Sequence, residues 1–169
     1  MSFTAQEIWE TLPERPSTFV FTEVWYQGLA KVPAGQLDDA FWQQLLLVRD
    51  EVNKVIEGAR KEGKVGASLQ AEVTLYAEGE LAQALCKLES ELRFVLITSA
   101  ATLQPLNAAQ NAEETDVAGL KVFVKATEQV KCERCWHHRA DVGSNPAHPT
   151  ICLRCVVNVD GKGESRDFA

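Results

Sequence analysis

No stretch of this 169-residue chain approaches the roughly 18 consecutive apolar residues of a membrane-spanning helix, so no membrane partner is expected. The first twenty residues carry Glu7, Glu10 and Glu14 where an export signal would be apolar. With thiols and no export signal, the cytoplasm is the expected compartment. No internal repeat or low-complexity segment appears. With 46% hydrophobic and 24% charged residues the chain has the composition of a globular protein. Positive charge is scarce. The net charge is −7, awkward for a nucleic-acid binder, because phosphate binding rests on Lys and Arg. The deficit is uneven. Between residues 131 and 155, Lys131, Arg134, Arg139 and Arg154 face only Glu133 and Asp141, a local balance of +2, whereas the first 130 residues carry −8.

Four of the five cysteines crowd into that basic segment as Cys132-Glu-Arg-Cys135 and Cys152-Leu-Arg-Cys155. A Cys-x-x-Cys pair can bend into a knuckle that presents two thiolates to one metal, and two knuckles complete a tetrahedron. The spacing predicts one zinc ion per chain held by Cys132, Cys135, Cys152 and Cys155. Two disulfides would need an oxidising compartment. Redox pairs come singly near a βαβ unit, and ferredoxin clusters use other spacings. Four thiolates leave no open position for water, so the zinc is expected to be structural. His137, His138 and His148 are then surface or supporting groups.

Along the chain, Thr4-Ala-Gln-Glu7 has the form of a capping box for a helix that Pro13 stops. Phe3, Ile8, Trp9 and Leu12 are too apolar for a free terminus and call for a partner surface. Residues 13–37, with three prolines and two glycines, read as a loop that lays Phe19, Phe21, Trp25 and Tyr26 over a core. Asp38 and Asp39 open the longest helix. Its buried stripe is Phe41, Leu45, Val48, Val52, Val55 and Ala59, widened by Trp42 and Leu46. Arg49, Asp50, Glu51, Lys54 and Glu57 form its wet face, and Gly63 its end. Residues 71–76 alternate as a half-buried strand, and Glu80–Leu92 returns to helical spacing, with Cys86 a small core or flanking residue. Phe94–Ile97 reads as a short buried strand, 104–118 as a loop and 120–125 as another strand. Val156–Val159 reads as a short strand or a helical turn. The fold class is therefore α+β: a helical segment (1–65), a small β-α-β-β domain (66–128) and a zinc ribbon or knuckle (129–169). Some forty residues are too few to fold unaided, so the metal must supply the missing stability.

These residues carry a resemblance. Cys132-Glu-Arg-Cys135-Trp136-His137-His138, Asp141-Val-Gly143 and Ile151-Cys152-x-Arg-Cys155-Val156-x-Asn158-Val159 resemble the C-terminal zinc segment of the bacterial isoleucyl-tRNA synthetase family. Ser2-Phe-Thr-Ala-x-Glu-Ile-Trp9 looks like the late helices of that family's anticodon-binding region. Lys64-Val-Gly-x-Ser68-Leu69 and Leu92-Arg-Phe-x-Leu-Ile-Thr-Ser99 look like the segment that follows. The resemblance implies an ATP-dependent ligase that joins isoleucine to isoleucine tRNA. Its ATP-site signatures, His-Ile-Gly-His and Lys-Met-Ser-Lys-Ser, are missing here. The chain thus reads as an excised C-terminal piece, inactive alone, with Met1 a cloning start. Its implied partners are the anticodon end of the tRNA and the remainder of the synthetase. Formamidopyrimidine-DNA glycosylases have similar cysteine spacing, but they use an N-terminal proline where this chain has Ser2, and they are more basic, so DNA is not expected.

Two roles follow. In the first, Arg134, Arg139 and Arg154 contact phosphates, while Trp136, His137 and His138 present rings to unpaired bases. In the second, the zinc segment only braces the parent enzyme, Trp136 plugs the tiny core of the knuckle, and the histidines are solvated. A small metal module needs an apolar plug, which favours the plug for Trp136.

Overall fold

The computed structural model describes residues 2–29 and 37–168. The chain divides into two compact units, Met1–Gly35 and Gln36–Ala169. In the first, helix α1 spans Ser2–Thr11. Nothing bars Ser2 and Phe3 from helical angles, so the helix runs back past the expected cap, and Thr4 and Glu7 lie inside it. The chain then returns alongside. Trp9 Nε1 donates to the Ser17 carbonyl at 3.0 Å, and the Gln6 amide donates to the Thr18 carbonyl at 3.0 Å. No α1 residue is buried. The aromatics expected to cover a core are exposed instead, Trp25 at 90%, because so short a unit encloses no core of its own. Pro33 and Gly35 of the expected loop lie outside the described residues.

In the second unit, helix α2 (Asp39–Lys61) starts as its sequence predicts, with the Asp38 carboxylate accepting from the Phe41 amide at 2.9 Å. It ends in a left-handed turn at Gly63 (φ +73°). There the Lys64 amide donates back to the Ala59 carbonyl (2.9 Å) and the Gly63 amide to that of Arg60 (3.0 Å), which satisfies carbonyls the helix leaves open. Its apolar stripe is buried at Phe41, Leu45, Val48 and Val52, with Ile56 added. Val55 and Ala59 of the expected stripe are only partly buried, and two further residues depart from expectation. Leu46 is half exposed. Glu51 is buried, accepting the Asp116 amide at 3.1 Å and pairing with Lys54 at 2.6 Å.

Four strands form one sheet, β1 (Ala71–Ala77), β2 (Ala100–Pro105), β3 (Glu113–Glu114) and β4 (Leu120–Ala126), in the order β2-β1-β4-β3. β1 runs parallel to β2 and antiparallel to β4. A parallel pair needs a crossover, and helices α3 (Gly79–Cys86) and α4 (Leu92–Leu96) supply it. Phe94–Ile97 is therefore mostly helix, not the expected strand. A four-residue apolar run fits either, but Leu81, Leu85, Leu88, Leu92 and Leu96 continue one helical stripe, all buried. Ile97, left-handed at φ 55°, ends it. The strand lies three residues later, and β3 interrupts the expected loop. Cys86 is exposed. Alternate residues of β1 are buried against α2, α3 and α4 in one core. The boundary expected at residue 65 therefore separates no two cores, because α2 packs on the sheet. Among the described residues, no helix is long and apolar enough to cross a membrane.

Candidate zinc centre and the face beside it

The last strand leads into a tight hairpin. The Cys132 amide donates to the His137 carbonyl (2.9 Å), the Trp136 amide to that of Cys132 (2.9 Å) and the Arg139 amide to that of Val130 (2.9 Å). This turn is the first knuckle. It places Trp136 in the left-handed region at φ 65°, a conformation that costs a residue with a side chain roughly 1–2 kcal/mol. The second knuckle opens helix α5 (Leu153–Asp160), with Cys152 at its N-cap, so the segment left open between strand and turn is helical. Gly143, at φ 78°, lets the connecting loop close. A Cβ there would meet the Pro149 carbonyl oxygen at 2.9 Å.

The four sulfurs lie within 4.8 Å of one another. Cys132 and Cys155 approach to 3.7 Å, and Cys135 and Cys152 to 3.8 Å. Tetrahedral bonds of about 2.3 Å to zinc require sulfurs about 3.8 Å apart, so the set fits that ion; all four cysteines are free of disulfides. Burial opposes the Cys132 thiolate, but the backbone amides of Cys135, Cys152 and Arg134 outweigh it and bring its pKa down to about 6. Burial, then the neighbouring sulfurs, pushes Cys152 up to about 12. Burial also raises Cys155, against the Arg134 guanidinium, which lies 3.6 Å from its sulfur. Four sulfurs this close do not ionise together without a cation, and a divalent ion supplies what they need.

The sequence-predicted RNA residues separate into two groups. Trp136 is 60% exposed, so it is no plug: the small cluster around the sulfurs is filled by Val142 and Ile151. The Lys131 ammonium lies 5.0 Å from the centre of its ring. Arg134 is exposed too. Arg139 is engaged with Asp141 at 3.1 and 3.3 Å, and His138 Nδ1 donates to the Gln129 carbonyl at 2.8 Å. His148 pairs with Asp160. His137 and Arg154 instead face Phe94 of α4. The His137 ring meets it edge-on at 5.8 Å, and the Arg154 and Arg166 guanidiniums lie 5.0 and 4.1 Å from its centre. Burial lowers the His137 pKa, and the two arginine charges add to the effect, against the Cys135 carbonyl.

Two devices that the sequence did not announce fasten the knuckles to the sheet. The Ser99 hydroxyl, between α4 and β2, donates to the Leu69 carbonyl at 2.5 Å and accepts the His138 amide at 2.6 Å. The C-terminal tail supplies the other. Glu164 binds Arg154 at 3.0 Å and Arg166 at 3.0 Å, and the Glu91 carboxylate accepts the amides of Asp167 and Phe168, each at 2.8 Å. Burial opposes the Glu164 charge, but hydrogen bonds from Arg166 and Asn158 and the nearby Arg154 hold its carboxyl below the usual range. A depressed folded pKa contributes stability above the unfolded value near 4.5, and that contribution is lost as pH falls through the folded one. Glu164→Gln should therefore destabilise the protein by about 2 kcal/mol at pH 7. The difference should vanish in acid, read as the gap between the two proteins' denaturation midpoints.

Comparison with known proteins now places the chain. Residues 131–157 match the zinc finger found in FPG and IleRS. The whole chain is akin to isoleucine–tRNA ligase. It is 55% identical over 170 residues to the enzyme of Pseudoalteromonas atlantica, a span that covers 99% of this chain. It is 54% identical over 171 residues to that of Shewanella oneidensis, covering all of it. It spans 18% of the length of these ligases. The zinc knuckle pair, the sheet and α2 are thus all parts of a segment shared with isoleucine–tRNA ligases. The same kinship extends to the exposed apolar residues of the first unit.

Proposed function

We propose that this chain is the tRNA-positioning C-terminal part of an isoleucine–tRNA ligase. In this reading the ATP-dependent joining of isoleucine to its tRNA happens elsewhere in a cytoplasmic enzyme. The zinc ion is structural: Cys132, Cys135, Cys152 and Cys155 fill its coordination and leave no place for water. The observation that carries the reading is Trp136. Its ring is exposed and held in a left-handed backbone beside Lys131, an arrangement suited to stacking an unpaired base of the anticodon loop next to a phosphate-attracting charge. Arg134, exposed in the same knuckle, adds a second positive charge in this reading, while Arg139 and His138 are held by Asp141 and the Gln129 carbonyl. His137 and Arg154 act through Phe94, holding the knuckles in place.

A bracing role is favoured by a different observation. Phe3, Val24, Trp25 and Leu29 are each at least 85% exposed, and the remainder of the ligase is the partner that would cover them. Both roles coexist in one enzyme. The separating experiment titrates isoleucine tRNA transcript into zinc-loaded and chelated protein at two salt concentrations, scoring affinity per folded molecule. Positioning predicts that affinity falls with the metal. Bracing alone predicts lost stability with affinity per folded molecule unchanged.

A further inference from the structure

The four sulfur ligands are not equally open to solvent. Cys132, Cys152 and Cys155 are each 0% exposed, whereas Cys135 is only partly buried. It stands between two exposed residues of the first knuckle, Arg134 and Trp136. Four thiolates on one divalent ion keep more negative charge than the ion cancels, so a sulfur that an electrophile can reach stays nucleophilic.

Charge does not single one sulfur out. The Arg134 guanidinium lies 3.6 Å from the Cys155 sulfur, and Arg154 is close enough to Cys135 to act on it. Exposure makes the difference. Cys135 also has a sulfur to pair with, because Cys152 approaches it to 3.8 Å across the two knuckles. Cys132, its neighbour in the same knuckle, is engaged by the backbone amides of Cys135, Cys152 and Arg134. Such donors stabilise a thiolate and make it a poorer nucleophile. Cys152, with the backbone amide of Cys155 as its donor, is the freer of the two.

We propose that Cys135 is a peroxide-reactive site and that its oxidation links it to Cys152 and releases the metal. The proposal rests on the four-sulfur zinc centre and not on RNA contact. The Cys135 thiolate attacks one oxygen of hydrogen peroxide, the O–O bond breaks, and hydroxide leaves with the electron pair, so the sulfur becomes a sulfenic acid. The Cys152 thiolate then attacks that sulfur, the S–O bond breaks, and a second hydroxide leaves. Two thiolates have given up two electrons, and one peroxide has become two hydroxides. Cys132 and Cys155 cannot complete a tetrahedron by themselves, so the knuckles lose the ion that holds them. A dithiol reverses the bond by exchange.

The test uses the whole zinc-loaded chain carrying Cys86→Ser, which removes the exposed thiol outside the centre. Trypsin cuts after Lys131, Arg134, Arg139 and Arg154, so each ligand falls in a peptide of its own. Hydrogen peroxide is added below stoichiometry, released zinc is read with a chromophoric chelator, and the peptides are weighed after the remaining thiols are blocked. The expected product is a disulfide between the peptides 135–139 and 140–154, formed in step with zinc release. Dithiothreitol should undo it and restore zinc binding. Limiting N-ethylmaleimide, a second electrophile, should label Cys135 first. Cys135→His leaves a three-cysteine, one-histidine set of the kind that holds structural zinc. It should slow peroxide-driven zinc release about tenfold. If that variant binds no zinc, the peptide map of the unsubstituted centre decides.

A disulfide between any other pair, first labelling at another ligand, or an unchanged release rate in zinc-loaded Cys135→His overturns the proposal. Retention of zinc in peroxide by a chain that carried one ion also overturns it, and the structural zinc then stands. A chain that carries no zinc before peroxide is added overturns the zinc centre and the proposal together.

Discussion

Cys152→Ser should abolish zinc binding and unfold the residues from about 129 onward, while the core built on α2 and the sheet survives. Cys152 is fully buried, caps α5, and donates its amide to the Cys132 sulfur at 3.4 Å. The knuckles own almost no apolar core: among the described residues, Val142 and Ile151 alone pack there beyond the cysteines. Apparent zinc-binding free energies for such sites are about 10–16 kcal/mol near neutral pH, far more than two half-buried aliphatic side chains contribute. Elemental analysis should fall from one zinc per chain to near none. Hydrogen exchange should accelerate in the knuckles and in the 164–168 tail but not in β1 or β4. Retention of zinc by the serine variant would rule out the four-sulfur site. Proton release gives a second readout. Cys152 and Cys155 are held protonated by burial in the metal-free state, so each must lose its proton on binding. Zinc affinity should therefore drop as pH falls, and calorimetry in buffers of differing ionisation heat should count those protons.

Trp136 should separate stability from affinity. Trp136→Ala and Trp136→Gly remove the same ring, so both should weaken binding of isoleucine tRNA by the worth of one stacked base. That is about 1–3 kcal/mol, roughly 5- to 150-fold. They differ in the backbone. At φ 65° alanine keeps the left-handed penalty that glycine escapes, so the glycine variant should be the more stable of the two by about 1 kcal/mol. Equal denaturation midpoints for the two would contradict the left-handed turn. Undiminished tRNA affinity in both would remove the tryptophan from the interface. A bulky aromatic kept in an unfavourable conformation with its ring in solvent contributes little to packing, and this is why we place it in contact with RNA.

The elements read correctly from sequence are those whose signal is local. Asp38 before a long apolar stripe and Gly63 after it define α2. Strict alternation over residues 71–76 and 120–125 defines β1 and β4. The misread stretches are those where local signal is degenerate. Phe94-Val-Leu-Ile suits a strand until the leucine spacing upstream is extended through it. Glu51 looks like one more charge on a wet face, and only the approach of the Asp116 amide from sixty-five residues away makes it buried and partnered. The aromatics of the first unit belong to the same class: they are exposed because so short a unit encloses no core of its own.

By itself the sequence determined the metal centre, because two Cys-x-x-Cys pairs can satisfy a tetrahedral ion only by closing on it, and no information from the rest of the fold is needed for that. Which of the neighbouring residues face outward was decided by tertiary structure alone. Trp136 was expected inside and lies in solvent, while Arg154 and His137 were expected at the surface and turn toward Phe94. The physical reason is that a hairpin bonded so tightly has one backbone geometry. The Ser99 staple and the Glu164 tail, distant in sequence, then fix which of its sides meets the sheet.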